Sequence, residues 1–116
     1  MSNIINELNN SLYGYIYIIY NPSYSIIPNT NIFKIGISNN PKRRLKELST
    51  GHLLESYIVW ISKLCLNYRD CDSSIKYQLK KYKINRELYN IELEEAIKII
   101  NKIVNNYNNP LYIKLF

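Results

Sequence analysis

Apolar and polar positions recur along this chain with two different periods, and the switches between them mark its elements. The run "SLYGYIYIIY" (11–20) is rich in aromatic and β-branched residues and apolar on both faces, the pattern of a strand covered on both sides. Side chains of a strand alternate between faces, so Tyr15, Tyr17 and Ile19 share one face while Gly14, Ile16, Ile18 and Tyr20 share the other. "NPSYSIIPNTN" follows, with Pro22 and Pro28 excluding a central strand, and reads as a long hairpin loop. "IFKIGI" (32–37) is a second strand, with Phe33, Ile35 and Ile37 opposed to Lys34 and Gly36.

A helical period then takes over. Asn40 offers an N-cap and Pro41 suits the first helical position, where its missing N–H is no loss, so a helix is expected over 41–49. "SYIVWISKLCL" (56–66) reads as a third strand. "DCDSSIKYQLKKY" (70–82) reads as a second helix with Ile75, Leu79 and Tyr82 at helical spacing, and "KINREL" as a turn. The last helix is expected to be capped by Asn90 and to bury a stripe of Ile97, Ile100, Val104 and Tyr107. Glu92, Glu94 and Glu95 near its start suit the helix dipole. The order β-β-α-β-α-α predicts an α+β fold, a small antiparallel three-stranded sheet flanked by helices. One domain is expected over the 116 residues, with a core at about 13–107 and terminal extensions at 1–11 and 108–116.

Composition narrows the partner. The chain is 47% hydrophobic with 3 glycines, which is globular and not disordered, and its net charge of +6 favours a polyanion, nucleic acid before an anionic membrane. Cys65 and Cys71 are too few for a disulfide framework, and with His52 as the one histidine they make no zinc set. The N-terminal "MSNIINELNN" has no basic segment followed by an apolar one, and no apolar run reaches the ~18 residues that span a bilayer. A soluble intracellular protein without a membrane partner is the expectation.

The first helix carries four basic residues that are not equivalent. With Pro41, Leu45 and Leu48 on its buried face, Arg44 sits roughly 65° from the stripe centre and Arg43 roughly 165° away, while Lys42 and Lys46 also point outward. Arg44 is thereby confined to the rim between helix and sheet, where a guanidinium either presents a fixed fork to a phosphate or simply snorkels. On the second helix Asp72 lies at a similar rim, roughly 60° from the stripe of Ile75, Leu79 and Tyr82, although Asp70 or Asp72 also suits the N-cap of a helix opening "DCDSS".

These features resemble the GIY-YIG nuclease superfamily, and in particular its short phage- and virus-encoded branch, in which the second motif reads "KIG". "YIY" (Tyr15, Ile16, Tyr17) matches the GIY element and "KIG" (Lys34, Ile35, Gly36) the YIG element. Eight positions past Gly36, Arg44 falls where the family's catalytic arginine stands. The resemblance covers residues 13–95 and implies metal-dependent cleavage of a DNA phosphodiester. Tyr17 would then assist water activation, Arg44 would stabilise charge on the scissile phosphate, and Asp72, where the family usually has glutamate, would hold Mg²⁺ or Mn²⁺. Lys34 replaces the motif's tyrosine, Lys76 stands where a histidine is usual, and Leu48 occupies another position that is often histidine. Tyr15 and Gly36 complete the implied site; glycine lets backbone or substrate approach closely beside Tyr17.

An alternative is a nucleic-acid-binding module on a catalytically decayed GIY-YIG fold, with Lys42, Arg43, Lys46, Lys80, Lys81 and Lys83 contacting phosphates. A protein-interaction subunit is a third reading. DNA is the expected partner with RNA left open, and sequence-specific cleavage would call for a partner chain or an oligomer. His52 reads as serving the helix end, the two cysteines as structural, and Glu87 as a structural residue near the domain edge.

Overall fold

A computed structural model gives the fold and describes residues 13–50 and 54–109. Strand β1 (Tyr13–Tyr20) leads through a 3-10 turn (Pro22–Ile26) to β2 (Ile32–Ser38) and helix α1 (Pro41–Ser49). Then come β3 (Tyr57–Ile61), β4 (Cys65–Leu66), α2 (Tyr68–Gln78), a 3-10 turn (Lys80–Tyr82), β5 (Lys83–Asn85), β6 (Leu88–Asn90) and α3 (Leu93–Tyr107). The α+β class with an antiparallel sheet and three helices is as expected.

The sheet runs β3-β1-β2-β6-β5, and β4 pairs separately with the start of β1. Its register aligns Ile16 with Ile37, Ile18 with Ile35, Tyr17 with Gly36 and Ile19 with Lys34, so the two faces have distinct jobs. Ile16, Ile18 and Ile35 bury against Cys71 and Ile75 of α2 and Ala96, Ile100 and Val104 of α3. Each such side chain contributes about 1.5–3 kcal/mol on leaving water. The opposite face, carrying Tyr17, Lys34 and Gly36, is left for the site. Gly14 matters for packing: a β-carbon there would meet the Tyr68 ring at 2.5 Å, so glycine lets the first turn of α2 lie close against β1.

Several expectations change. Among the described residues the sheet has six strands rather than three. The run expected as one third strand breaks after Ile61, because the Ser62 hydroxyl accepts the Ile16 N–H while the Ser62 N–H donates to the Ile16 carbonyl; the chain re-enters the sheet only at Cys65. "KINREL" is a hairpin, turned by Arg86 in the left-handed region (φ 48°), and its second strand pairs with β2. Asn90 does not cap α3; its Oδ1 accepts the Asn31 N–H and ties β6 to β2, while Glu92 holds the cap position without a side-chain cap bond. The second helix begins earlier than expected, at Tyr68, and Lys80–Tyr82 forms a separate 3-10 turn. The long hairpin loop contains its own 3-10 turn, opened by Asn21, whose side chain accepts the Ser23 N–H.

The buried stripe of α3 centres on Ala96, Ile100 and Val104, with Ile97 and Tyr107 flanking it. Asn108, assigned above to a terminal extension, accepts the Leu66 N–H and donates to the Leu64 carbonyl, fastening the end of α3 to β4. Among the described residues no helix is long and apolar enough to cross a membrane.

Candidate functional site

The site starts from Gly36. Its partner across the β1–β2 ladder is Tyr17, whose ring is buried and whose hydroxyl stands over the glycine: a β-carbon at position 36 would lie 2.5 Å from Tyr17 Oη. Only a residue without a side chain leaves room for that placement.

Helix α1 brings in the arginine. Asn40 Oδ1 accepts the Arg43 N–H at 3.2 Å, with Pro41 as the first helical residue, and this start sets the helix rotation. Lys42, Arg43 and Lys46 are exposed while Arg44 is half-buried at the rim. Arg44 does not simply snorkel. Its guanidinium engages the Tyr17 hydroxyl, and its Nη1 donates to Glu47 Oε2 at 3.2 Å. Burial pushes the Tyr17 phenol above its usual value against the pull of Arg44, so Tyr17 is protonated at neutral pH. The Tyr17 contact raises Arg44 further, which keeps it a cation.

Asp72 reaches the site from α2. Because the helix begins at Tyr68, Asp72 lies past its first turn and is not its cap; Asp70 accepts from the Asn67 side chain instead. The Asp72 side chain is 12% exposed and pairs with Lys76 Nζ at 3.0 Å, one helical turn on. Burial raises its carboxyl above the usual range, opposed by Lys76 and reinforced by the charge of Glu87, while Asp72 in turn raises Lys76. Tyr17 feels the negative charge of both Glu87 and Asp72.

Glu87 corrects the sequence reading. It is no peripheral structural residue: the pairing of β6 with β2 ends where the Ile35 N–H donates to the Glu87 carbonyl, which delivers the side chain to Gly36. Glu87 Oε2 would lie 3.2 Å from a β-carbon at Gly36, and Lys34 Nζ faces it at 3.4 Å without hydrogen-bond geometry. That oxygen is buried and, among the described residues, is the buried side-chain polar atom without a hydrogen-bond partner. A cleft of about 230 Å³ opens beside it, lined by Ile19, Lys34, Leu48, Glu87 and Leu88 among others. The only sequence-level sign was an acid beside a tight turn, "NRE", between two short apolar runs.

Tyr17, Lys34, Gly36 and Arg44 are thus brought together, with Asp72 and Glu87 near enough for their charges to be felt. Tyr15 lies apart, lining a shallow depression with Asn40, Pro41 and Lys42. Lys80, Lys81 and Lys83 are exposed on and just after the second 3-10 turn, where Lys80 covers the Tyr77 ring at 4.3 Å and Lys81 the Tyr82 ring at 5.1 Å. Cys65 and Cys71 are free, fully buried and adjacent, part of the core. His52 lies outside the described residues. Among the described residues no group of three His, Cys, Asp or Glu side chains is arranged to cage a metal ion.

Tyr17 and Glu87 thus meet over Gly36 in a small α+β fold, with Arg44 at the rim and Asp72 near enough for its charge to be felt at Tyr17. The T5orf172 domain family matches residues 14–104, and the chain belongs to that family, a phage-associated domain related to nuclease-type domains. Comparisons with curated proteins and with solved structures give no match.

Proposed function

We propose that this chain is a divalent-metal-dependent DNA endonuclease of the GIY-YIG type. The observation that carries the reading is the Tyr17 hydroxyl fixed over Gly36, with the Arg44 guanidinium beside it at the rim. Phosphodiester hydrolysis builds negative charge on phosphate oxygens, and a preorganised cation beside a water-excluding wall is what stabilises it. Arg44 supplies that cation with a fork suited to two phosphate oxygens. The protonated Tyr17 hydroxyl donates toward the phosphate or the attacking water and holds Arg44 in register.

A hard cation fits the donors present. Mg²⁺ is commonly held by one or two carboxylates together with substrate phosphates rather than by a full protein cage, and Asp72 is a buried carboxylate whose charge Tyr17 feels. Mg²⁺ or Mn²⁺ at Asp72 would supply Lewis-acid stabilisation of the phosphate, and Lys76 would have to release Asp72 Oδ2. Lys42, Arg43 and Lys46 on α1 are exposed to neutralise the DNA backbone, with Lys80, Lys81 and Lys83 as a second basic group.

The test is nicking of plasmid DNA by the full chain in Mg²⁺ or Mn²⁺, with chelator as control. Wild type nicks, and Arg44→Ala abolishes nicking while thermal unfolding is unchanged; cleavage that survives Arg44→Ala defeats the mechanism.

The Asp72–Lys76 ion pair favours a second reading, a DNA-binding module without cleavage, because it occupies the carboxylate that the metal needs. In that case DNA binding weakens steeply with salt, the slope becomes shallower with each phosphate-contacting Lys or Arg removed, and no metal yields cleavage. Salt-independent binding excludes it.

A further inference from the structure

We propose that Glu87 is a catalytic residue of this site, the acceptor of the proton lost by the attacking water. The proposal rests on the nuclease reading above and adds a residue to it.

Hydrolysis needs a proton acceptor within hydrogen-bond reach of the water, and the groups around Gly36 leave one without a hydrogen bond, although Lys34 Nζ stands 3.4 Å from it. Lys34 and Arg44 are cations with nothing to accept a proton. Tyr17 is held protonated by its burial. Asp72 is engaged by Lys76 at 3.0 Å and serves the metal. Glu47 is more than half exposed and shared between Arg43 and Arg44.

Glu87 differs from all of these. Its Oε2 is buried without a hydrogen-bond donor, and the point above Gly36 that lies 3.2 Å from it also lies 2.5 Å from Tyr17 Oη. The phenol fills the gap that the missing side chain leaves, so a phenol oxygen and a carboxylate oxygen stand side by side over Gly36. A water arriving beside them donates to Glu87 and is oriented by Tyr17. The cleft beside Lys34 and Glu87 gives that water and the phosphate a way in.

The replacement of the YIG tyrosine by Lys34 also becomes intelligible. One residue that donates and accepts is exchanged for two, an ammonium on β2 and a carboxylate 3.4 Å away in the turn just before β6. In the step itself the water oxygen bonds to phosphorus and its proton passes to Glu87 Oε2. The bond from phosphorus to the leaving sugar oxygen breaks with its electron pair, that oxygen takes a proton from solvent, and Glu87 returns its own to solvent.

The experiment compares wild type, Arg44→Ala, Glu87→Gln and Glu87→Ala as full chains, reading single-turnover cleavage, DNA affinity and thermal unfolding. Glu87→Gln is expected to slow cleavage by about 10²–10⁴-fold with DNA affinity held within about threefold, the range for loss of a general base. Glu87→Ala is expected to regain rate on addition of formate, which Arg44→Ala does not; this signature survives even if the glutamine variant folds poorly. A Glu87→Gln rate near wild type, or a Glu87→Ala rate indifferent to formate, overturns the assignment. If either happens while Arg44→Ala is dead, only Glu87 is misassigned. A wild type that never cleaves brings down the nuclease reading itself, and Glu87 with it.

Discussion

The Tyr17 hydroxyl stands over Gly36 so closely that the first carbon of any side chain at position 36 would meet the phenol oxygen at 2.5 Å and Cζ at 2.8 Å. The tyrosine cannot swing aside, because its ring is buried and its strand neighbours Ile16 and Ile18 are fixed in the core. Gly36→Ala must therefore shift β2, the ring, or both. Overpacking of this kind costs about 1–3 kcal/mol. Denaturant unfolding is expected to show a loss in that range, with nicking falling further than the folded fraction does. A variant as stable and active as wild type would show that Tyr17 is free to move.

Arg44 depends on shape as much as on charge. Its guanidinium serves Tyr17 and Glu47 at once and still has donors for a phosphate. Lysine keeps the charge and loses the fork. Arg44→Lys is expected to lower the cleavage rate by about 10²–10³-fold, the scale for removing one preorganised donor to a developing oxyanion. The salt dependence of DNA binding should stay as it was, since that counts charges. Near-normal cleavage by Arg44→Lys would mean that Arg44 acts only as a point charge.

The parts of this site legible in the sequence are those set by local periodicity. Alternation along "YGYIYIIY" groups Tyr17 with Tyr15 and Ile19, and along "IFKIGI" it groups Lys34 with Gly36; the observed register then puts Tyr17 opposite Gly36, on one face. The Asn40–Pro41 start sets the rotation of α1, which separates half-buried Arg44 from its exposed neighbours. What escaped depended on distant pairing. Strands β5 and β6 are three residues each, too short for alternation to register, and Glu87 reaches Gly36 only because β6 pairs with β2, far away in sequence. The capping role open to Asp72 failed for another reason: Asn67 adopts a left-handed conformation (φ 53°) and starts α2 before the "DCDSS" stretch. A single backbone torsion there decides whether the carboxylate caps a helix or faces the site.

Asp72 should be a burden to the fold. Its carboxyl is raised above 3.8, chiefly by burial, with the help of Lys76 already included in that direction. The folded state thus holds the proton more tightly than the unfolded chain. As pH rises through 3.8 the unfolded chain ionises first, so the folded state loses relative stability until its own carboxyl has ionised, and the loss persists at pH 7. Asparagine never ionises. Asp72→Asn is therefore expected to be more stable than wild type at pH 7, with the gap closing as pH falls toward about 3.8, and to be inactive in cleavage. Urea unfolding across pH measures this, and an Asp72→Asn protein less stable at neutral pH would contradict the burial argument.

Lys76 tests whether Asp72 is a metal ligand at all. Its ammonium holds Asp72 Oδ2 at 3.0 Å, from a side chain that is half exposed. An ion binding to that carboxylate competes with the lysine, so Lys76→Met should let Mg²⁺ bind at lower concentration. With the lysine partner solvated, such a pair is worth on the order of 0.2–1 kcal/mol, which corresponds to a shift of about 1.4- to fivefold in the Mg²⁺ needed for half-maximal cleavage. The measurement is a Mg²⁺ titration of nicking at saturating DNA, so that the lost charge does not act through DNA affinity. Asp72→Asn should abolish nicking in the Lys76→Met background just as it does alone. Were Lys76→Met to leave the Mg²⁺ dependence unchanged or weaken it, the ion would not be held by Asp72.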